Sequence, residues 1–305
     1  MNKLEKLAYG EYKKKISNFE SQKELVFANL MQDKDFALLH RKENELIIEL
    51  SKNDTDLKLS ENLKEVQLEK QNYIKTKNAE ILNTEHLCNH CNDKGYIGKK
   101  SCSCFKKVLS QVSLKQSGLG VNLDEYQNLD FSIFKNPNEI KKLYSKIDLW
   151  IQKYETSDIR NWAFMGDTGT GKTYLMFYMA KKLMDKGAYV YFTTASQLAK
   201  RLLEDYANDE YEKKDYMSKY TNCDVLFIDD LGTELNKKKI TNQLLYTVFN
   251  QRMLDNKPVV FSSNFDMGEF ENFYGERIFS RLINKRTTKS IWFDGEDLRL
   301  KKKKD

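Results

Sequence analysis

The stretch that decides the fold of this chain is Gly166-Asp167-Thr168-Gly169-Thr170-Gly171-Lys172-Thr173. It fits the pattern G-x-x-x-x-G-K-[ST] without a mismatch. The apolar run 162–165 precedes it, as expected for a buried strand, and residues 174–180 follow without Gly or Pro, as expected for a helix. Strand, glycine-rich loop and helix start together predict an anion site, because backbone N–H groups converge there and the helix dipole favours negative charge.

Two side chains of this stretch indicate which anion binds. Lys172 would reach the β- and γ-phosphates of a nucleoside triphosphate, and the Thr173 hydroxyl would hold Mg²⁺. The alternative is a chance glycine turn before a core helix, and the complete match in a strand–helix context disfavours it. We therefore expect a site for ATP and Mg²⁺.

Beyond this loop the sequence alternates between strand and helix patterns. Strand candidates are residues 188–192, 225–228, 259–262 and 290–293, and helix candidates are residues 195–206, 210–220, 238–255 and 275–284. Short apolar strands separated by helices are typical of a parallel sheet covered on both faces. The predicted fold class is α/β, of the P-loop NTPase kind.

Two of these strands end in polar residues suited to phosphate chemistry. The run 225–228 continues into Asp229 and Asp230, and the next strand ends at Asn264. In a P-loop enzyme the first acid sits by Mg²⁺, directly or through water, and the second orients or deprotonates the attacking water. Acids often close strands, so this signal depends on the P-loop that precedes it. We expect Asn264 beside the carboxylates, near the γ-phosphate.

Arg277 and Arg281 are four residues apart, on one face of the last predicted helix. A permanently charged, planar guanidinium can stabilise charge on a transferring phosphoryl group. For either arginine alone, a solvated position or an internal ion pair is a serious alternative.

A cluster of cysteines precedes the nucleotide-binding region. Four of the five cysteines form the pattern C-x-x-C…C-x-C and are Cys88, Cys91, Cys102 and Cys104. Four reduced thiolates can hold one tetrahedral Zn²⁺, so we expect a structural zinc site. His86 and His90 are reserve ligands, and a Cys₃His site is the main alternative. Cys223 stands apart and is most simply a core residue.

Composition limits the class of protein. The 305 residues include 31% charged and 40% hydrophobic residues, which is typical of a soluble globular chain. No apolar run approaches the length of a membrane span, and the N-terminus lacks a secretory h-region, so we expect a cytoplasmic protein. The net charge of +6 is mild and by itself does not establish nucleic-acid contact.

The chain is predicted to have three parts: residues 1–85, 86–120 and 121–305. The first contains no Pro and repeats apolar residues at helical spacing, with a break near 51–56. It is either a helical hairpin that buries its own apolar stripe or a surface that docks a partner. The second holds the zinc site and a linker helix, and the third is the nucleotide domain, with Asn138 as the predicted N-cap of its first helix.

Together these motifs resemble the bacterial DnaC/DnaI-type replicative helicase loaders, which are AAA+ ATPases. The resemblance covers most of the chain and rests on the cysteine cluster, the P-loop, the segment 228–232, Ser263-Asn264, and the segments 275–282 and 295–299. It implies that Asn264 is the first sensor, that Arg281 (or Arg277) is an arginine finger acting on a neighbouring subunit, and that Arg299 is the second sensor. It also implies that the N-terminal region grips the hexameric helicase and that the AAA+ part contacts single-stranded DNA.

One residue departs from the general AAA+ pattern, because Asp230 stands where many of these enzymes have Glu. The shorter side chain lies farther from the attacking water, so we expect slow, partner-stimulated hydrolysis. Two alternatives remain open. One is an IstB-like transposase helper, which the zinc cluster and the long helical N-terminus disfavour. The other is a zinc-bearing adaptor with negligible ATP hydrolysis.

Overall fold

The computed structural model describes residues 2–52, 56–117, 119–126, 131, 134, 136–207, 217–234, 238–295 and 297–298. Contacts between residues divide the chain into two compact units. One comprises Gly10–Cys102, and the other comprises Met1–Tyr9 together with Ser103–Asp305. Within the described residues, no helix is both long and apolar enough to cross a membrane.

Three long helices begin the chain, in the region where the sequence predicts helices with a break near 51–56. They are α1 (Lys3–Leu30), α2 (Lys34–Lys52) and α3 (Leu57–Thr76). The side chain of Asp56 caps α3 by accepting hydrogen bonds from the backbone N–H groups of Lys58 and Leu59. A small core, built on Leu30, Phe36, Ile74 and Ala79, holds the helices together.

A short hairpin follows the helices. Its strands, β1 (Tyr96–Ile97) and β2 (Lys100–Ser101), pair antiparallel. Gly98, in the turn, has a φ of +59°, which is the left-handed conformation that glycine adopts without steric cost. The hairpin separates Cys88 and Cys91 from Cys102 and Cys104 in the chain.

The larger unit is built on a five-stranded parallel sheet. Its strands are β3 (Asn161–Gly166), β4 (Val190–Thr194), β5 (Val225–Leu231), β6 (Val259–Ser263) and β7 (Thr288–Phe293). Their order across the sheet is β4-β5-β6-β3-β7. The three central strands are almost entirely buried, which explains their continuous apolar sequences.

The sheet order places the predicted polar strand ends side by side. Because β3 pairs with β6 and β6 pairs with β5, all in parallel, the three carboxyl ends meet at one edge. The P-loop leaves β3 at this edge, Asp229 and Asp230 lie near the end of β5, and Asn264 follows β6. The fold is therefore the predicted α/β P-loop fold of the AAA+ type.

Eight helices accompany the sheet among the described residues. They are α4 (Ser103–Gln116), α5 (Pro137–Lys153), α6 (Lys172–Asp185), α7 (Ala195–Ala207), α8 (Ser218–Thr221), α9 (Lys238–Leu254), α10 (Met267–Tyr274) and α11 (Glu276–Leu282). Most of the helix predicted at 210–220 lies outside the described residues. The predicted N-cap Asn138 is wrong, because α5 begins at Pro137 with Asn136 as its cap. Proline suits this first position, since its fixed φ is helical and its missing N–H would have no partner there.

Helix α4 covers the backbone of the sheet's edge strand β4. The Ser110 hydroxyl accepts a hydrogen bond from the Val190 N–H at 2.8 Å, and the Ser113 hydroxyl donates to the Val190 carbonyl at 3.2 Å. An edge strand otherwise presents unpaired backbone groups that invite another strand. At Val190, two buried serines take the place of that strand.

Candidate nucleotide-binding site

The glycine-rich loop runs directly from β3 into α6, as predicted. Gly166 and Gly171 have φ values of +119° and +99°. A Cβ atom at Gly166 would lie 2.0 Å from the Phe293 carbonyl oxygen, and one at Gly171 would lie 2.7 Å from the Phe134 ring. Side chains are thus excluded at both positions by conformation and by space. The first N–H groups of a helix have no carbonyl partner within it, so the start of α6 favours an anion.

Lys172 occupies the mouth of this loop. Only 5% of the residue is exposed, and its Nζ donates to the carbonyl oxygens of Gly166 and Asp167, each at 2.6 Å. The same Nζ donates to Asn264 Oδ1 at 2.8 Å. The predicted sensor and the predicted phosphate-binding lysine are therefore in direct contact. A triphosphate that binds here has to compete with these three neutral oxygens for the ammonium group.

Asp229 is the central carboxylate of the site. It is buried, and its Oδ1 accepts hydrogen bonds from the hydroxyls of Thr173, at 3.0 Å, and Ser262. Burial raises the pKa of Asp229 above its usual value of 3.8, and the nearby Asp230 carboxylate raises it further. The two hydroxyls and the charge of Lys172 act in the opposite direction on this pKa. A hydroxyl and a carboxylate in contact form the oxygen set that Mg²⁺ prefers.

Asp230 faces the phosphate loop from an unusual backbone conformation. Its φ is +58°, and the pairing of β5 with β6 shifts register between Ile228 and Leu231. The Asp230 N–H donates to Ser262 Oγ at 2.8 Å. A cavity of about 430 Å³ is lined by Asp230, Asn264, Lys172, Thr173 and neighbouring loop residues. The structure thus brings together the predicted residues of β3, β5, β6 and α6.

A second cavity, of about 450 Å³, adjoins the first between α5 and β7. Its lining includes Phe134, Ile140, Thr170 and Phe293, and Leu298 lines both cavities. The Leu298 N–H donates to the Gly169 carbonyl at 2.9 Å. The end of the described chain therefore lies against the P-loop. Arg299, the predicted second sensor, lies outside the described residues.

The two predicted catalytic arginines are not at this site in their own chain. Arg281 packs on α9: its guanidinium lies 4.8 Å from the centre of the Tyr246 ring and donates to the Tyr246 hydroxyl at 3.0 Å. The Arg281 carbonyl accepts from Asn161, the first residue of β3, whereas the P-loop leaves the last residue of that strand. Arg281 is thus at the opposite edge of the sheet from the P-loop. Arg277, one helical turn earlier, is exposed.

The four predicted cysteines form a separate cluster. Their sulfur atoms all lie within 4.8 Å of one another, and the sulfurs of Cys88 and Cys102 are 3.9 Å apart. Tetrahedral Zn–S bonds of about 2.3 Å place sulfurs about 3.8 Å apart, so this donor set fits zinc. The Gly95 N–H donates to Cys91 Sγ at 3.3 Å, as expected for a thiolate that ligates a metal.

Neither histidine near the cysteines joins this cluster. The His86 ring lies 3.7 Å from carboxylate oxygens of Glu85 and Asp93. Asp93 itself accepts from the backbone N–H groups of Leu87 and Cys88, at 3.0 and 2.8 Å, which fixes the loop that carries the first two cysteines. Among the described residues the geometry therefore favours four cysteines over the Cys₃His alternative.

Ser262 lies near the phosphate loop, and no role for it is predicted from the sequence. It is fully buried, donates to Asp229 and accepts from the Asp230 N–H, so it fixes both acidic residues. The sequence feature that could indicate a role for Ser262 is its position on a buried strand, two residues before Asn264. A hydroxyl inside an apolar strand needs a polar partner, and the neighbouring strand end supplies one.

Fold and site together define the class: the chain is an ATP-binding P-loop protein of the AAA+ type. A profile of the family described as "IstB-like ATP binding protein" matches residues 124–305, which is more than half of the sequence. The chain belongs to this family of IstB-like ATP-binding proteins.

Curated relatives confirm the resemblance to the DnaC/DnaI-type loaders. The replicative helicase loader DnaC of Escherichia coli K12 is 23% identical over 168 residues, which are 55% of this chain and 66% of the relative. The replicative helicase loader DnaI of Bacillus subtilis is 24% identical over 169 residues, 55% of this chain and 52% of the relative. The phage-like element PBSX protein XkdC of B. subtilis is 28% identical over 222 residues, which are 66% of this chain and 80% of the relative. For both loaders the match spans less than two thirds of the relative's length.

Replacing Lys172 by Ala should remove most ATP binding, because the loop then loses its charged contact with the phosphates. We expect ATP affinity to fall by about two orders of magnitude, from the usual size of buried charge-assisted contacts. Titration with a fluorescent ATP analogue measures this. Lys182→Ala, at an exposed lysine of the same helix, is the matched control. Equal affinities for the two variants would contradict the role of Lys172.

Replacing Asp229 by Asn should stabilise the nucleotide-free protein at neutral pH. The folded-state pKa of Asp229 is raised, so above it the carboxylate is ionised in both states and its burial opposes folding. Asn removes this charge and keeps an oxygen that can accept from Thr173 and Ser262. The gain in stability should shrink as pH falls through the raised pKa towards 3.8, because the folded-state carboxyl becomes neutral.

Thermal unfolding without nucleotide or Mg²⁺, from pH 8 down to about pH 4, measures this difference. Asp158→Asn is the control, since Asp158 is exposed and should show no such dependence. A lower melting temperature for Asp229→Asn than for wild type at pH 8 would show that the buried charge does not oppose folding.

Proposed function

We propose that this protein is an ATP-dependent loader that binds the replicative DNA helicase and helps deliver it onto single-stranded DNA during replication initiation, acting in the cytoplasm. The observation that carries the proposal is the division of the site. Lys172, Thr173, Asp230 and Asn264 line one cavity, and Asp229 contacts Thr173 beside it. By contrast, Arg281 lies at the other edge of the sheet, and Arg277 is exposed one helical turn before it. This arrangement suits an ATP site that is completed by a neighbouring subunit.

Each residue of the site has a proposed role. Lys172 and the loop N–H groups bind the β- and γ-phosphates, and Thr173 and Asp229 hold Mg²⁺, directly or through water. Asp230 orients or deprotonates the attacking water, and Asn264 contacts the γ-phosphate. The cavity between α5 and β7 offers Phe134, Ile140 and Phe293 to the base. Arg299 is proposed as the second sensor. Hydrolysis is proposed to be slow, because Asp230 is one methylene shorter than Glu.

The arginines are proposed to act between subunits. A neighbour would supply Arg281, with Arg277 as the second candidate, to the γ-phosphate bound by this chain. Held against the Tyr246 ring, the guanidinium of Arg281 is already oriented before assembly. ATP would then be hydrolysed only in the assembled state, because the adjoining copy supplies the arginine.

The N-terminal region is proposed to supply the helicase contact. The helices of residues 1–85 carry exposed apolar side chains, among them Leu38, Ile48, Leu57 and Leu68. Such side chains suit a helix-based protein interface. In residues 86–120 the cysteine cluster would hold a structural zinc ion, whose binding contributes to the free energy of folding. The names of the DnaC and DnaI relatives support the choice of a replicative helicase as partner.

Two rival functions make different predictions. An IstB-like transposase helper is supported by the description of the matching family, but that match begins at residue 124 and leaves the helices and the cysteine cluster unexplained. An adaptor with negligible hydrolysis is supported by the short Asp230. Equal and near-zero DNA-stimulated ATPase rates for wild type and Asp230→Asn would favour the adaptor.

The proposal is tested by capture of the cognate replicative helicase on the immobilised full-length protein, with and without ATP. We expect retention of the helicase in at least one nucleotide state. The cognate transposase of a neighbouring insertion element, where the genome has one, serves as the competing bait. Failure to retain helicase in either state, with capture of the transposase, would replace the loader by the helper.

Arg281→Ala should abolish hydrolysis that depends on assembly while leaving ATP binding by the monomer unchanged. Arginine fingers contribute about 10³-fold or more to phosphoryl transfer, so the loss should be large. ATPase rates measured against protein concentration test this, with Arg286→Ala, at an exposed arginine beyond α11, as the control. Wild-type rates for Arg281→Ala in the assembled state would move the finger to Arg277.

Cys91→Ser should remove the bound zinc and unfold the region around it, since structural zinc supplies folding free energy. ATP binding by the larger unit should survive. Metal analysis of the purified protein, together with limited proteolysis, measures both effects. Cys223→Ala, at a cysteine buried in the other unit, should leave the zinc content unchanged. Full zinc content in Cys91→Ser would remove Cys91 from the ligand set.

A further inference from the structure

A buried carboxylate and a buried phenol lie just beyond the catalytic strand β5. Glu234 and Tyr274 are only 6% and 4% exposed. The Tyr274 hydroxyl donates to one carboxylate oxygen of Glu234, and the Gly232 N–H donates to the other at 3.0 Å. A carboxylate is costly to bury unless both of its oxygens are satisfied. This pair meets that condition, and none of the roles above uses it.

The pair holds the turn that presents Asp230. With a φ of +58°, Asp230 adopts the left-handed conformation, which is uncommon for a residue other than glycine. Its carbonyl accepts from the Thr233 N–H at 3.2 Å and from the Thr233 hydroxyl at 2.8 Å. Gly232, between them, also has a positive φ of +109°. A turn of two such residues needs contacts from outside to keep its shape.

Glu234 supplies the outside contact. Its hydrogen bond from Gly232 closes the turn, and its hydrogen bond from Tyr274 joins the turn to the end of α10. On the other flank, Ser263 donates to the Leu231 carbonyl at 2.7 Å. The backbone that aims the Asp230 carboxylate into the cavity is therefore fixed from β6 on one side and from α10 on the other.

We infer that Glu234 and Tyr274 are positioning residues for Asp230. The inference rests on the proposed hydrolysis of ATP at this site. Neither side chain is among those that line the phosphate cavity, so their effect passes through the turn 230–234. Catalytic groups tolerate little displacement, and a shift of about 1 Å can cost about a hundredfold in rate. Loosening this turn should impair catalysis more than ATP binding, which depends on the P-loop.

The hydrogen bonds, rather than the charge, are what positions Asp230. Glu234→Gln can keep both bonds, because its amide oxygen accepts from Gly232 and its NH₂ group donates to the Tyr274 oxygen. Glu234→Ala removes both bonds, and Tyr274→Phe removes one bond and leaves a buried carboxylate oxygen without a partner. Glu276→Ala is the matched control, at an exposed acid two residues beyond Tyr274.

The experiment measures ATP affinity and kcat of the full-length variants under conditions where wild type turns over. Glu234→Ala and Tyr274→Phe should lower kcat about tenfold or more, with ATP affinity within about twofold of wild type. Glu234→Gln and Glu276→Ala should retain kcat within about threefold. Circular dichroism checks that each variant is folded, and Tyr274→Phe decides the result if Glu234→Ala does not fold.

Three outcomes would overturn the inference: wild-type kcat in Tyr274→Phe, parallel loss of affinity and kcat, or a Gln variant as slow as the Ala variant. Either of the first two outcomes would mean that Glu234 and Tyr274 stabilise the fold without positioning Asp230. The third would mean that the charge of Glu234, rather than its hydrogen bonds, is needed for catalysis. If wild type itself hydrolyses no ATP, the proposed reaction fails together with the inference. Turnover by wild type with no effect of the variants defeats the inference alone.

Discussion

The nucleotide site depends on Asp229, which accepts hydrogen bonds from the hydroxyls of Thr173 and Ser262. The donors come from the first turn of α6 and from β6, so one buried carboxylate ties a helix and a strand to β5. Replacing water around this carboxylate by only two hydroxyls leaves it under-solvated, which is why its pKa is raised. A buried, poorly solvated carboxylate is stabilised by a nearby cation. Binding of Mg²⁺ would therefore offset the unfavourable desolvation of Asp229.

Local patterns in the sequence were sufficient for the P-loop, for all five strands and for most helices of the larger unit. Each of these features is set by consecutive residues: a run of apolar side chains, a glycine where φ must be positive, a polar residue where a strand ends. The site residues on β3, β5 and β6 could be grouped in advance because carboxyl ends of parallel strands share an edge.

What the sequence did not disclose depends on contacts between distant residues. Ser262 and Glu234 are ordinary residues until neighbouring elements turn them towards Asp229 and Gly232. Their partners lie on other strands and helices, and the order of strands in a sheet cannot be predicted from any one segment of the sequence. The packing of Arg281 on Tyr246 was hidden for the same reason. For the cysteines, spacing predicted a cluster but left His86 and His90 as candidates until the geometry separated them.

The two serines of α4 at the edge of the sheet have a consequence for any assembly that this chain builds. With Val190 already satisfied by Ser110 and Ser113, that edge offers no free backbone partner there to an incoming strand. Copies that meet at this end of β4 would therefore touch through side chains and helix surfaces rather than through a shared sheet. Contacts between side chains are individually weak and can form and separate, whereas a sheet continued from one copy to the next would be held by a row of backbone hydrogen bonds.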